Sequence, residues 1–377
     1  MAMKSVESND GIFCLADDLG PEKIVHLYQP TVGLKAIVVI DNTAAGPSIG
    51  GTRMAVDVSL KECFRLARAM TLKNAAAGLP HGGGKSVIFA DPAMPGEQKE
   101  EIIRAFAQGI KNLTGYIPGP DMGTNEQAMA FVKDEIGRAV GLPRVLGGIP
   151  LDEIGATGLG LAVAAEAAEE FSGVTLKGAR VAVQGFGAVG QHAARFLEQR
   201  GARLVAAADS RGMIENQQGL DIKGLTQLKK AGGHVGDFDK GTKHRSDSII
   251  DVDCDIWIPA ARPDIINDDN VDRLKARLFL QGANIPATVS AESRMHEKGI
   301  LSVPDFIANA GGVICGSVEY HGGSETVALE AIKEKIRLNT REVLTKAKNE
   351  SLLPRIAAER FARKRVEDAI SLTRWHS

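Results

Sequence analysis

The stretch ARVAVQGFGAVGQHAARFLEQR does most to restrict what this chain can fold into. ARVAVQ predicts a strand and GFGAVG a turn. QHAARFLEQR predicts a helix whose inner face carries Val189, Ala193, Phe196 and Leu197. RLVAAAD follows as a second strand ending at Asp209. Ligand crevices of parallel sheets open at such strand ends. Gly185, Gly187 and Gly190 give G-x-G-x-x-G between strand and helix, the context in which that spacing holds a dinucleotide. The glycines allow the turn and let a pyrophosphate approach the backbone, where the helix N-terminus stabilises its charge. The competing explanation is a glycine turn with no ligand, which would not account for the acidic Asp209 at the end of the next strand. Asp209 is placed for adenosine ribose hydroxyls, which favours NAD. Arg211, two residues on, suits a 2′-phosphate equally, so NADP stays open.

A second stretch, KNAAAGLPHGGGK, sets Lys73 and Lys85 around a helix end and three glycines, Gly82 to Gly84. It is not a phosphate-binding P-loop. The first glycine of that motif would fall at Leu79, and here a helix precedes and a strand follows, the reverse of the required order. A lysine close to another cation and partly desolvated has its pKa lowered from about 10.4 toward neutrality and can act as a general base. A second lysine that stays charged can hold a carboxylate. Asp121, in GPDMGT, adds a carboxyl able to relay a proton. Spacing alone is equally compatible with two surface lysines.

The remaining chain reads as a two-domain α/β protein, for which 377 residues suffice. LKAIVVIDNT predicts a strand, GPSIGG a loop, and Ser59 with Glu62 a capping box for a helix carrying Leu66, Met70 and Lys73. KSVIFADP predicts a strand from Lys85, Glu97 to Leu113 a helix, and GYIPGPDMGTNE a loop. A helix is expected at about Ala156 to Phe171, with buried strands at IWIPA and LFLQGAN. Ser324 to Glu350 and Ala357 to Trp375 predict closing helices. Trp257 and Phe279 are expected in the core, and Cys315 as a small apolar filler.

Net charge −2 and a sequence pI near 6.5 leave no electrostatic footprint for nucleic acid or an anionic membrane. Cys14, Cys63, Cys254 and Cys315 lack metal-ligand spacing, so no metal is expected and a reducing compartment is. The N-terminal MAMKSVESND has no apolar segment of the signal-peptide kind and no run is long enough to span a bilayer, so a cytoplasmic protein is expected.

GPSIGGTRM, MTLKNAAAGLPHGGGKSVI, IPGPDMGTNEQAMAF, GATGLG, VAVQGFGAVG, QGANIPAT and PDFIANAGGV, in that order, resemble the glutamate/leucine/phenylalanine/valine dehydrogenase family. The resemblance implies a substrate-binding and catalytic α/β domain over 1–150 and a Rossmann-type dinucleotide-binding domain over 151–325. It also implies C-terminal helices, 326–377, that return to the first domain, and a homo-oligomer. The implied reaction is reversible oxidative deamination of an L-amino acid to a 2-oxo acid and ammonia with NAD(P). By motif position, Lys73 binds the substrate α-carboxylate, Lys85 is the base that activates water, and Asp121 shuttles protons to and from the amino group. Thr157, Asn284 and Asn309 line the nicotinamide and substrate amine, while Ala188 and Val189 join the glycines of the turn.

Ile49, Gly50, Gly51, Val313 and Gly316 form the implied side-chain pocket. Ile49 stands where glutamate dehydrogenases of the family carry a lysine, and Gly316 where they carry a serine, for the distal carboxylate. Both replacements resemble the leucine/valine/phenylalanine branch and imply a non-acidic substrate, with glutamate as the alternative. GATGLG and QGFGAVG resemble the glutamate branch. A catalytically inactive NAD-binding regulatory protein is the reading from another class, and the joint presence of Lys73, Lys85 and Asp121 argues against it. Ala188 replaces the asparagine common after GFG. Asp152 and Glu153 either cap the next helix or face a polar substrate group. His81 either titrates near the site or is a variable loop residue, the second favoured, and Arg53 is expected as a brace for its loop.

Overall fold

A computed structural model describes residues 13–373, so MAMKSVESND and Trp375 lie outside the described residues. The chain divides into two compact units. One takes residues up to Gly148 and again from Arg363; the other is Ile149–Ala362.

The first unit contains β1 (Lys23–Gln29), β2 (Leu34–Asn42), β3 (Ser48–Ala55), α1 (Leu60–Ala76), β4 (Gly83–Phe89), α2 (Gly96–Gly109), β5 (Tyr116–Pro120) and α3 (Glu126–Ile136). Its sheet runs β1-β2-β4-β3-β5. The pairs β1/β2 and β2/β4 are antiparallel, whereas β3 is parallel to both β4 and β5. The unbroken apolar run in β2 follows from cover on both faces. Val38 and Ile40 pack with Phe106 of α2 and Met129 of α3, while Val39 packs with Cys63 and Ala67 of α1.

Two segments expected as loops are strands. In GPSIGG, Gly50 and Gly51 lie within β3, because β4 comes so close that a Cβ on Gly50 would sit 1.6 Å from the Gly84 oxygen. In GYIPGP, the two prolines lie in β5, an edge strand, where a missing N–H costs no ladder bond on the open side. The strand expected from Lys85 starts at Gly83, and the helix expected to reach Leu113 stops at Gly109. Ser59 caps α1 by accepting the Glu62 N–H at 3.2 Å, but the Glu62 carboxylate turns to Arg53.

The second unit opens with α4 (Leu151–Ile154), α5 (Ala156–Ala167) and α6 (Glu169–Ser172), in place of one helix over 156–171. There follow β6 (Arg180–Gln184), α7 (Ala188–Glu198), β7 (Arg203–Asp209), β8 (Gly212–Glu215), α8 (Ile222–Lys230), β9 (Thr242–His244), β10 (Ile256–Pro259) and β11 (Leu278–Leu280). The chain continues through α9 (Val289–Glu297), β12 (Leu301–Val303), α10 (Asp305–Ala308), α11 (Gly311–Tyr320), α12 (Glu325–Glu350) and α13 (Pro354–Leu372). The sheet order is β12-β11-β10-β6-β7-β8-β9, parallel from β12 to β7 with β8 and β9 antiparallel. Chain order reverses between β6 and β10, which makes their C-terminal ends the switch point where ligands bind in such sheets.

Helix α7 begins at Ala188, so the last residues of the glycine motif are its first turn. Its buried face is Gly190, Ala193, Ala194 and Leu197, with Val189 and Phe196 only half-buried. Trp257 and Phe279 stack in the core with ring centroids 5.6 Å apart, and Cys315 is buried. Helix α12, expected with the first domain, packs instead on α5 and α11 of the second unit. Only residues from Arg363 on group with the first. Among the described residues, no helix is long and apolar enough to cross a membrane.

Candidate active site

In the first unit the N-terminal half of β4 carries a lysine facing an acid. The Lys85 side chain is 6% exposed and its Nζ donates to Asp121 Oδ2, Asp121 standing just past β5. Parallel pairing of β3 with both strands brings Gly51 against this pair. A Cβ on Gly51 would lie 2.9 Å from Asp121 Cβ and 3.0 Å from Lys85 Nζ. Asp121 is fixed on its other side as well. Its Oδ1 accepts from Arg53 at 3.2 Å and from the Met122 N–H at 2.5 Å. Burial alone would push the Asp121 carboxyl up, but the Lys85 charge and hydrogen bond, the Met122 N–H and Arg53 outweigh it and hold it below the usual carboxylate range.

Arg53 was expected to brace a loop. It lies on β3 two residues from Gly51 and therefore on the same face, with its other arm 2.5 Å from Glu62. Reading β3 as a strand would have placed Arg53 at the acid. The charge paired with Lys85 is thus a carboxylate backed by a guanidinium, where the sequence suggested the influence of a second lysine.

Lys73 is half-buried in the last turn of α1. The next residue, Asn74, donates to the Gly82 carbonyl at 2.7 Å, which ties this helix end to the segment entering β4. Ile49 is 6% exposed and packs with Ile117 and Val140. His81 lies in the loop before β4, as expected, and is 1% exposed, with Nδ1 3.0 Å from the Pro47 carbonyl. Asp152 and Glu153 are exposed in the first turn of the short helix α4.

The second unit holds the dinucleotide features. A cavity of about 600 Å³ is lined by Gly185, Phe186, Gly187, Asp209, Lys229 and Ala261 among others. Gly185 has φ +99° and a Cβ there would meet Ala261 Cβ at 2.7 Å, across the switch point. Nothing lies within 4 Å of where a Gly187 Cβ would be. An open glycine at the N-terminus of α7, beside Ala188 and Val189 in its first turn, suits a pyrophosphate.

Asp209 Oδ2 accepts from Lys229 at 2.7 Å and from the Val235 N–H at 2.9 Å, and Oδ1 from the Arg211 N–H at 3.0 Å. Burial pushes this carboxyl up, but those bonds and the Lys229 charge bring it down to about 2. The cation on Asp209 is therefore Lys229; Arg211 contributes its backbone and is exposed. Sequence spacing carried no signal for Lys229, which arrives on α8 twenty residues later.

Thr157, Asn284 and Asn309 converge at the C-terminal side of the same sheet. Asn309 Nδ2 donates to Asn284 Oδ1 at 3.0 Å, and a Cβ on Gly312 would be 3.7 Å from Thr157 Oγ1. Val313 and Gly316 lie on α11, half-buried and buried respectively. The expected site residues thus fall in two groups. Lys73, Lys85, Asp121, Ile49, Gly50 and Gly51 belong to the first unit, and the others to the second.

Residues 21–138 match the Glu/Leu/Phe/Val dehydrogenase dimerisation domain, and residues 147–374 match Glutamate/Leucine/Phenylalanine/Valine dehydrogenase. The chain is 38% identical over 358 residues to the glutamate dehydrogenase of Aeropyrum pernix, covering 89% of this chain and 85% of that one. Its fold is similar to the hetero-hexameric glutamate dehydrogenase of Thermus thermophilus in its Leu-bound form. There the TM-score is 0.82 at 28% identity, covering 93% of this chain and 90% of the other. It is also similar to the L-tryptophan dehydrogenase of Nostoc punctiforme, with TM-score 0.74 at 27% identity and coverage of 93% and 97%. With both of its units matched and the lysine–aspartate pair and glycine turn in place, the chain belongs to the glutamate/leucine/phenylalanine/valine dehydrogenase family of NAD(P)-dependent amino-acid dehydrogenases.

Proposed function

We propose that this dehydrogenase deaminates an L-amino acid with a non-acidic side chain, reversibly, to the 2-oxo acid and ammonia. The buried Lys85–Asp121 pair, held from behind by Arg53, carries this reading. Lys73 holds the substrate α-carboxylate by its charge. Transfer of the Lys85 proton to Asp121 leaves an amine that takes a proton from water as the water attacks the imino carbon. Asp121 then gives its proton to the amino nitrogen. As the C–N bond breaks, the hydroxyl proton of the carbinolamine passes to the departing ammonia, so the 2-oxo acid and ammonium leave and the pair returns to its starting charges. The nicotinamide, when bound, supplies the acceptor for the hydride leaving the substrate Cα. Gly185, Gly187, Ala188, Val189 and Gly190 hold its pyrophosphate, and Thr157, Asn284 and Asn309 orient its amide end.

Ile49 supports the side-chain preference. It lies in an apolar cluster with Ile117 and Val140, and desolvating a distal carboxylate against it without a partner is costly. Glutamate is the second reading, favoured by 38% identity to the Aeropyrum pernix enzyme. Reductive amination of a panel of 2-oxo acids with ammonia decides between them. The proposal expects aliphatic or aromatic 2-oxo acids to lead, and strong preference for 2-oxoglutarate overturns it.

For the nucleotide we read NAD, since the Asp209 carboxylate is held ionised and its Oδ1, beyond the Arg211 N–H, keeps a lone pair for a ribose hydroxyl. Lys229, beside Ser210 on the same wall, favours NADP as the second reading. Lys229→Ala weakens NADPH selectively if NADP is correct, and leaves the NADH KM the larger concern if NAD is. The match to a dimerisation domain supports assembly of copies of this chain through the first unit, and a monomeric mass by light scattering overturns that.

A further inference from the structure

A charged cluster in the second unit, unused by the chemistry above, holds the two asparagine amides in place. The Asp305 carbonyl accepts the Asn309 N–H at 2.7 Å, and its carboxylate Oδ2 accepts the Ile285 N–H at 2.9 Å. The first is the backbone bond that ends α10; the Asp305 carboxylate grips the chain next to Asn284, whose Oδ1 in turn accepts from Asn309 Nδ2 at 3.0 Å. Ile285 has φ 48°, and its carbonyl accepts the N–H of Asp264, which has φ 50°. A β-branched residue enters this left-handed region only when its surroundings impose it.

Asp305 is itself clamped. Arg355, near the start of α13, donates to Asp305 Oδ1 at 3.1 Å and to Gln281 Oε1 at 2.9 Å. It also forks onto both carboxylate oxygens of Glu292 at 2.6 and 2.7 Å. Gln281 closes the ring, since its Nε2 donates to Glu292 Oε1 at 2.5 Å and its Oε1 accepts the Asp305 N–H at 3.2 Å. The side chains of Arg355, Glu292 and Asp305 are 14%, 5% and 8% exposed. A guanidinium shared by two buried carboxylates has a defined geometry, and loss of one partner leaves charge uncompensated.

We propose that Asp305 and Arg355 are positioning residues for the nicotinamide end of the dinucleotide. They act by forcing the strained Asn284–Ile285 segment into the conformation that presents the Asn284 and Asn309 amides. This rests on the reading above of those asparagines as nicotinamide contacts.

The test compares binding of NADH, or NADPH if the wild type takes that form, with binding of ADP-ribose or its 2′-phosphate, by calorimetry. Asp305→Ala is expected to weaken the reduced cofactor about tenfold while ADP-ribose binds as in the wild type. It is also expected to lower kcat roughly 100-fold with little change in the amino-acid KM. Adding Ile285→Gly to Asp305→Ala should restore cofactor affinity, because glycine adopts the left-handed conformation without a clamp. Should Asp305→Ala not fold, Arg355→Lys, which keeps the charge but loses the fork, is expected to give the same split at smaller size. Parallel weakening of both ligands, no weakening, or no restoration by Ile285→Gly overturns the proposal. Wild-type protein that binds neither reduced cofactor overturns the functional reading itself.

Discussion

At Gly51 it is the neighbouring chemistry that excludes a side chain. A methyl group there would lie within 3.0 Å of the Lys85 ammonium. Gly51→Ala is expected to push Lys85 and Asp121 apart, cutting kcat while the circular dichroism spectrum stays that of the wild type. An unchanged kcat would mean that the pair has slack the structure does not show. Lys85→Ala should lower kcat by roughly 10²–10⁴-fold with NADH affinity unchanged in calorimetry, whereas Lys73→Ala should chiefly raise the substrate KM in steady-state kinetics. The roles of these residues were legible as residue types in motifs. The partners Arg53 and Lys229 were not, since Arg53 meets Asp121 across 68 positions and Lys229 meets Asp209 across 20.

At the scale of elements, legibility followed composition. Helix α1 was readable because Ser59 caps it and its apolar residues recur at helical spacing. Ser59→Ala should destabilise the protein by about 1 kcal/mol, measured by urea unfolding. No loss would mean that packing of α1 on β4 carries its N-terminus. Strands β3 and β5 were hidden because glycine and proline usually mark loops. In β3 the glycines answer a close approach by β4, and in β5 the prolines tolerate an open edge. Neither condition can be seen until the sheet is assembled. Helix α12 was readable as a helix and misplaced as a packing partner, since an amphipathic face does not say which surface it will cover.

Across the whole molecule, several carboxylates, among them Asp121, Asp209 and Asp255, are held ionised by nearby cations, whereas burial raises Asp41 and Glu359. Asp209 is the best-defined case, at about 2 against a reference of 3.8. A carboxyl with a depressed folded-state pKa contributes stability that is present above its unfolded pKa and lost as pH falls through the folded one. The Lys229–Asp209 pair should thus add about 1–2 kcal/mol at neutral pH. Asp209→Asn is expected to cost that much at pH 7, and the difference from wild type should shrink between about pH 4 and pH 2, as followed by urea unfolding. A difference that stays constant over that range would place the stabilisation elsewhere.

The sequence by itself determined the strand–turn–helix unit at Gly185, the apolar strand β2, the cap of α1, the identity of the chemical groups and the family. All of these are written in spacings of a few residues or in ordered motifs. Only the tertiary structure decided that GPSIGG is a strand, that Arg53 stands behind Asp121 and that His81 is buried. It also decided that Lys229 sits on Asp209, and that Arg355 and Asp305 grip the Asn284–Ile285 segment. The reason is physical: each of these depends on which backbone lies alongside which. That choice is made by burial and pairing between segments distant along the chain, where local pattern carries no record of the partner.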